Sequence, residues 1–365
     1  MKILQLIQKP QLRGAEIFAA QLSEQLTKKG HEIMLVSLFP GTVTLPFSDK
    51  QSCLAANPAK RFWDWSAWKR LANLIEEFQP DLIQANAGDT LKYAVSSKLV
   101  FRWKAKLIFR NANLISAFHK SSFQKFYNSF LMRNIEGVAS VSELCKNDFL
   151  RTFDFPLTKI ATLPIGVITP ELKSEFPEDV KEKLGGSHFL IHIGSFVPEK
   201  NHLGLLRIFN KILLVHPELK ILLVGEGRLK AELEEVHKND KAIVFAGARA
   251  DVSSILPFAK VLLLPSLIEG LPGVILEAMI SKVAVVAYDV GGISEVIIQS
   301  QSGFIIPARK EKMFADSVVQ LLDMEPKKLD LMLQLGKEQI VKNYAMRTIA
   351  TRFELFYKEM ITPGE

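Results

Sequence analysis

A chain of 365 residues has room for two hydrophobic cores, and 48% apolar with 23% charged residues excludes a disordered or fibrous protein. Its two cysteines, Cys53 and Cys145, lie far apart in sequence and leave neither a disulfide framework nor a cysteine-based metal site to expect. The net charge of +7 is uneven: residues 1–165 hold 22 Lys and Arg against 13 Asp and Glu, while the remaining 200 hold 24 against 26.

That asymmetry points to an anionic partner for the first half, either an acidic membrane surface or an anionic substrate. Nucleic acid is not expected, because the basic residues are scattered and carry no nucleic-acid-binding signature. The opening run, MKILQLIQKPQLRGAE, is too short and too polar for a secretory leader, and no window reaches the ~18 apolar residues of a membrane span. A reducing, cytoplasmic location is expected.

In chain order, short β-branched and Leu-rich runs alternate with longer amphipathic ones, the pattern of parallel βα units. Strands are predicted at KILQLI, EIMLVSL, DLIQAN, KLIFRN, GVASV and KIATLP, then again at HFLIHIG, KILLVG, AIVFAG, VLLLPS, VAVVAY and GFIIP. Between the two sets, PIGVITPELKSEFPEDVKEKLGG is rich in Pro, Glu and Lys and reads as a linker. After Pro307 three stretches have helical spacing. The expected fold is α/β, with two facing Rossmann-like domains and a cleft between them. Residues 1–168 form the first domain, 169–186 the linker and 187–345 the second; for a C-terminal helix at 346–365, packing back on the first domain is one expectation. In such sheets ligands bind beyond the carboxyl ends of the strands, so function is sought in the loops that follow strands.

The sharpest of these loops follows VLLLPS. EGLPGVILEAM places Glu269 and Glu277 eight residues apart around Gly270, Leu271, Pro272 and Gly273, with Pro272 suited to the first helical position. The helix start offers free amides, an anion site. A carboxylate on either side of it suits a ligand with hydroxyls flanking a phosphate, as in a nucleotide sugar. A helix-start acid and a solvated helix residue are the plainer reading of the same pair. Other loops tip the balance: HIGSFVPEKNH holds Ser195 and Lys200, VGEGRLKAELE holds Gly225 and Gly227, AGARAD holds Arg249, and QLRGAEIF holds Arg13, Gly14 and Glu16. With Lys230 at the third glycine position, VGEGRLK is not a dinucleotide fingerprint and reads as a tight turn.

With these motifs together, over nearly its full length and most specifically from Gly194 to Gly292, the chain resembles the family 4 retaining glycosyltransferases of the two-Rossmann-domain (GT-B) architecture. The resemblance implies a nucleotide-diphosphate sugar as donor, with no further cofactor. It implies Glu269 near the donor sugar's hydroxyls and Glu277 on the nucleotide ribose. Gly270, Leu271, Gly273 and Val274 would surround the diphosphate and sugar. Lys200 would neutralise the diphosphate, whose charge grows as it leaves, and with Glu269 it forms the expected catalytic pair. Gly14 would contact the diphosphate from the first domain, and Gly227 would shape the base side of the cleft. Arg249 either borders the nucleobase or is a surface arginine. Ser195 stands where the family usually carries arginine, so the missing charge is sought elsewhere, Arg13 being one source. The family's acceptor-side histidine after the fourth strand is absent; Arg13, Arg110, Asn111, Asn113 and His119 are the acceptor-side candidates, and the leaving phosphate can take the acceptor's proton. The lack of an Asp-x-Asp motif fits a reaction without a bound metal.

Three stretches of the basic half mix aromatic and basic residues: KRFWDWSAWKR, FRWKAK and HKSSFQKFYNSFLMR. Each reads either as core aromatics beneath a solvated basic face or as a peripheral contact with an anionic membrane. The expected activity is transfer of a sugar to a glycan or lipid-linked acceptor in cell-surface polysaccharide or lipopolysaccharide synthesis. A sugar-nucleotide epimerase or phosphorylase on the same fold, or a non-catalytic nucleotide-sugar-binding protein, is the alternative.

Overall fold

The computed structural model describes residues 1–60, 63–118, 121–169 and 175–362, with Phe123 described by its backbone only. Two compact units result, Met1–Gly166 with Met346–Glu365, and Val167–Ala345.

In the first unit the strands are β1 (Lys2–Ile7), β2 (Glu32–Ser37), β3 (Lys50–Cys53), β4 (Leu82–Ala85), β5 (Lys106–Asn111), β6 (Gly137–Ser140) and β7 (Ile160–Thr162). The helices are α1 (Gly14–Lys28), α2 (Trp65–Phe78), α3 (Gly88–Phe101), α4 (Ser122–Met132), α5 (Glu143–Thr152) and the C-terminal helix Met346–Ile361. Among the described residues the strands form one parallel sheet ordered β3-β2-β1-β4-β5-β6-β7. The two-residue period of a strand sends Leu4 and Leu6 to one face, where Leu71 and Ile75 of α2, Leu91 of α3 and Phe149 of α5 join them in a core. Gln5 points to the other face, under α1 and the C-terminal helix, whose Phe18 and Phe353 rings lie 5.7 Å apart. There Gln5 donates to the Tyr357 hydroxyl (3.1 Å), which donates to Gln84 (2.8 Å), and Asn86 completes the buried set by donating to Gln5 (2.9 Å). Side chains start the helices where the pattern asks for caps: Asp64 accepts from the Ala67 amide at 3.1 Å and Ser142 from that of Cys145 at 3.1 Å. β3 has no counterpart among the predicted strands; its sequence, Lys-Gln-Ser-Cys, is an exposed edge without apolar alternation.

In the second unit β8 (Phe189–Ile193), β9 (Lys220–Val224), β10 (Ile243–Gly247), β11 (Val261–Leu264), β12 (Ala284–Tyr288) and β13 (Phe304–Ile306) form a parallel sheet ordered β10-β9-β8-β11-β12-β13. Its helices are α6 (Glu178–Leu184), α7 (His202–Leu213), α8 (Lys230–Val236), α9 (Val252–Ile255), α10 (Gly273–Ile280), α11 (Glu311–Leu322) and α12 (Pro326–Tyr344). Leu205 and Phe209 of α7 and Phe314 and Val318 of α11 seal one face of the sheet against Ile221 and Leu223 of β9 and Leu263 of β11. α6 lies inside the stretch expected to be a linker; Val180 and Leu184 are buried, and two apolar residues among charges were too few to announce it.

Each sheet reverses its winding beside its first strand, between β1 and β4 and between β8 and β11. Doubly wound sheets open a crevice beyond the strand ends at such a point.

Candidate active site

The loops leaving β8 and β11 flank the second sheet's switch point and bring Lys200 and Glu269 together, with the Lys200 ammonium donating to Glu269 Oε1 at 2.5 Å. Glu269 is 6% exposed, so the pair sits largely out of water. Lys200 ends a single 3-10 turn, Pro198–Lys200, and Asn201, at φ 55°, leads into α7. Two bonds brace that turn against the loop after β11: the Leu267 amide donates to the Glu199 carbonyl (2.8 Å), and Asn201 Nδ2 donates to the Pro265 carbonyl (3.0 Å). A third loop holds the Glu269 backbone, because the Gly292 amide donates to the Gly270 carbonyl at 2.5 Å. At neighbouring Gly291, φ +60°, a Cβ would lie 2.2 Å from the Glu269 carbonyl oxygen, so only glycine fits.

Gly225 and Gly227 serve the same loop from the other side. A Cβ on Gly225 would lie 2.0 Å from the Gly194 carbonyl oxygen, and one on Gly227 2.6 Å from that of Phe196. The tight turn after β9 is thereby pressed onto the segment that carries half-buried Ser195 and Lys200. Below it lie two histidines that sequence reading did not single out. His192 Nδ1 meets the Leu263 carbonyl at 2.8 Å; a carbonyl only accepts, so Nδ1 holds the proton and Nε2 is left as an acceptor. His202 stacks on Phe196 with centroids 4.1 Å apart and stands edge-on to His192 at 4.8 Å. Burial first, then the neighbouring His202 and, more weakly, Lys200 push His192 down to about 3; burial and then the charge of Lys200 push His202 down to about 4. Both are therefore neutral near pH 7, and Lys200 remains this loop's cation. His192 Nε2, both ring nitrogens of His202 and Ser266 Oγ are buried without a hydrogen-bond partner among the described residues.

α10 starts at Gly273, one residue later than the spacing suggested, with Pro272 as its N-cap at φ −76°, ψ 118°. Gly270 and Leu271 are buried, Gly273 and Val274 half-buried, and the first amides of α10 have no acceptor within the helix. Glu277 follows about one turn later, half-buried, with no side-chain partner among the described residues; burial pushes its carboxyl above the usual range. Arg249 is committed elsewhere: its guanidinium grips Asp179 of α6 (2.5 and 3.1 Å) and Asp251 (2.8 and 2.7 Å). It clamps α6 to the loop after β10. No group of three or more His, Cys, Asp or Glu among the described residues is placed to hold a metal ion.

In the first unit, Arg13 is the N-cap of α1 and Gly14 its first residue; both are exposed, and a Cβ on Gly14 would meet nothing within 4 Å. Glu16 tucks under this first turn, accepting from Gln11 Nε2 at 3.0 Å, and burial raises its carboxyl. Arg110, near the end of β5, is 2% exposed and lies over the Phe18 ring at 4.3 Å. Burial pulls it down to about 10, and its Nε and one terminal nitrogen have no hydrogen-bond partner among the described residues. Asn111 is turned inward, donating to the Cys145 carbonyl (3.1 Å) and Ser140 Oγ (3.4 Å), so its amide fastens β5 to β6 and α5. Asn113 is exposed, and His119 lies outside the described residues.

The aromatic–basic stretches divide. Trp68 is core and Arg70 is spent on the Leu54 and Ala55 carbonyls, whereas Trp63 and Trp65 are 76% and 53% exposed beside exposed Lys60 and Lys69. Arg61 is not among the described residues. Phe101 and Trp103 pack against the core. On α4, Phe126 and Phe130 are exposed four residues apart, in line with Arg133. No helix among the described residues is long and apolar enough to cross a membrane.

Two parallel doubly wound units with a Lys–Glu pair at a strand-end switch point define the class as the two-Rossmann-unit, GT-B proteins. The fold agrees: the structure of Anabaena Alr3699/HepE in complex with UDP and glucose superposes with a TM-score of 0.82 at 18% identity, covering 98% of this chain and 100% of that one. Residues 12–170 match the model of Glycosyltransferase Family 4 and residues 187–324 that of Glycosyl transferases group 1, and the chain belongs to this glycosyltransferase family. Among curated relatives, N-acetyl-alpha-D-glucosaminyl L-malate synthase of Bacillus anthracis is 22% identical, over 96% of this chain and 95% of its own. The N,N'-diacetylbacillosaminyl-diphospho-undecaprenol alpha-1,3-N-acetylgalactosaminyltransferase of Campylobacter jejuni is 26% identical over 80% of each chain.

Proposed function

We propose that this glycosyltransferase moves a sugar, with retention of anomeric configuration, from a nucleotide-diphosphate sugar to a glycan or lipid-linked acceptor in cell-surface polysaccharide or lipopolysaccharide synthesis. The Lys200–Glu269 pair, braced at the switch point beside the start of α10, carries the reading. Lys200 and the free amides of α10 take the diphosphate, supplying positive charge where negative charge grows as the bond from the sugar C1 to the diphosphate breaks. Glu269, an acceptor-only group, takes hydroxyls of the sugar, and Glu277 takes those of the ribose. Gly270, Leu271, Gly273 and Val274 line the diphosphate and sugar, and Ser195 and Gly227 shape the wall behind Lys200. The acceptor oxygen attacks C1 and its proton passes to the departing phosphate oxygen, so no protein base is required and no metal is invoked.

The first unit takes the acceptor, with Arg13 at the start of α1 and Arg110 and Asn113 near the end of β5. The Campylobacter relative is by its name a transferase to a diphospho-undecaprenol-linked sugar, and Alr3699/HepE was seen with UDP and glucose; both support a nucleotide sugar and a lipid-linked acceptor here. A peripheral contact with an anionic membrane at its cytoplasmic face is supported by exposed Trp63, Trp65, Phe126 and Phe130 among Lys60, Lys69, Lys125 and Arg133. The experiment is a thermal-shift screen of nucleotides and nucleotide sugars to find the donor. Transfer to free and lipid-linked glycans follows, with the anomeric configuration of the product read by NMR. Retention supports the proposal; inversion, or no stabilisation by any nucleotide sugar, contradicts it.

A further inference from the structure

We propose that the Lys200–Glu269 pair makes the site prefer the intact donor over the spent nucleoside diphosphate, because Glu269 takes Lys200 back once the sugar has left. The inference rests on the donor reading above. Among the described residues each of these two groups is the other's one ion-pair partner, at 2.5 Å. An incoming diphosphate has to draw Lys200 away from Glu269. With an intact donor, sugar hydroxyls donate to the carboxylate that Lys200 vacates. A bare nucleoside diphosphate offers no hydroxyl there, and a carboxylate that is 6% exposed is left without a partner, the situation that costs most.

The exchange needs only side-chain motion. The backbone on both sides is tied by the Leu267–Glu199, Asn201–Pro265 and Gly292–Gly270 bonds, whereas the lysine has a flexible four-carbon stem. That stem runs past Gly194, where a Cβ would sit 3.5 Å from Lys200 Cδ. No second cation relieves the competition in this loop: Ser195 is uncharged, and His192 and His202 are buried and neutral. After transfer the ammonium is thus claimed by two anions, and Glu269, fixed in place, favours departure of the product.

The test is calorimetric binding of UDP, GDP and ADP, and of the UDP-, GDP- and ADP-sugars, to the full chain as wild type, Glu269→Gln, Lys200→Met and the double variant. Circular dichroism checks that each is folded. Glu269→Gln frees Lys200, so the nucleoside diphosphate that wild type prefers should bind about 10-fold tighter, the lower range of coupling for close charge pairs, and the preference for the sugar-bearing donor should shrink by a similar factor. Glu269→Asp, with the charge drawn back by one methylene, should move both values the same way by less. In the Lys200→Met background the gain should vanish. A gain that persists there is removal of a negative charge near an anion and overturns the proposal, as does the absence of any gain in Glu269→Gln. If wild type binds none of the nucleotides or nucleotide sugars, it is the donor reading itself that fails.

Discussion

Lowering the pH from 7.5 to 5 should destabilise the second unit through His192 and His202. Their folded values, about 3 and about 4, lie well below the ~6.5 of an unfolded chain. Both are depressed, so their stability contribution is whole above about pH 6.5 and is lost as the pH falls, since the unfolded chain takes up protons that the folded one refuses. At pH 5 that amounts to about 2 kcal/mol for each ring and about 4 kcal/mol for the two. Carboxylates that the fold holds low, Asp179 and Asp251 beside Arg249, lose their contribution only below ~4 and hardly enter this window. Glu277, which burial holds high, acts in the opposite sense and offsets part of the loss. A comparison with His202→Phe, which keeps the stack on Phe196, cancels that contribution. All four tryptophans lie in the first unit, so fluorescence reports the wrong half. Hydrogen exchange of β8 and α7 amides reports the right one. Wild type should lose about 2 kcal/mol more opening free energy than His202→Phe between pH 7.5 and 5. Equal losses would refute the assignment of a buried, neutral His202.

Tyr357→Phe removes a hydroxyl that bonds both Gln5 and Gln84, and urea unfolding should show the first unit weaker by ~1–3 kcal/mol. Transfer should survive excess EDTA; loss of activity restored only by added Mg²⁺ or Mn²⁺ would show that the diphosphate needs a metal after all. Co-sedimentation with anionic vesicles should be strong at low salt and fade at high salt. Replacing Trp63, Trp65, Phe126 and Phe130 by Ala should abolish it, and equal binding to neutral vesicles would contradict the membrane contact.

How much of this could be read from the sequence follows from how local each signal is. KLIFRN coincides with β5 because an apolar run between turns is enough to define a buried parallel strand. β3 could not be read, since pairing at a sheet edge asks little of Lys-Gln-Ser-Cys beyond its backbone. The Glu269 to Glu277 spacing and Lys200 were legible because strand, loop and helix start are consecutive in the chain. What polar side chains do over distance was not. Lys200 meets Glu269 across 69 residues, Arg249 meets Asp179 across 70, and Asn111 meets Cys145 across 34. Residue type and spacing show what each group can bond, but not which partner folding brings within reach. His192 and His202 were silent for the same reason. Only the structure shows them side by side and buried beside the lysine's loop.

The central claim is that one pocket in the second unit, with Lys200 at the diphosphate and Glu269 at the sugar, performs the transfer. Its most direct measurement is the rate of nucleoside diphosphate release in the presence of acceptor for wild type, Lys200→Ala and Glu269→Gln, once the donor is known. Loss of a group placed against developing charge costs ~10²-fold or more in turnover, so both variants should fall by at least that factor while their circular-dichroism spectra stay those of the folded protein. Near wild-type turnover in both folded variants would contradict the account.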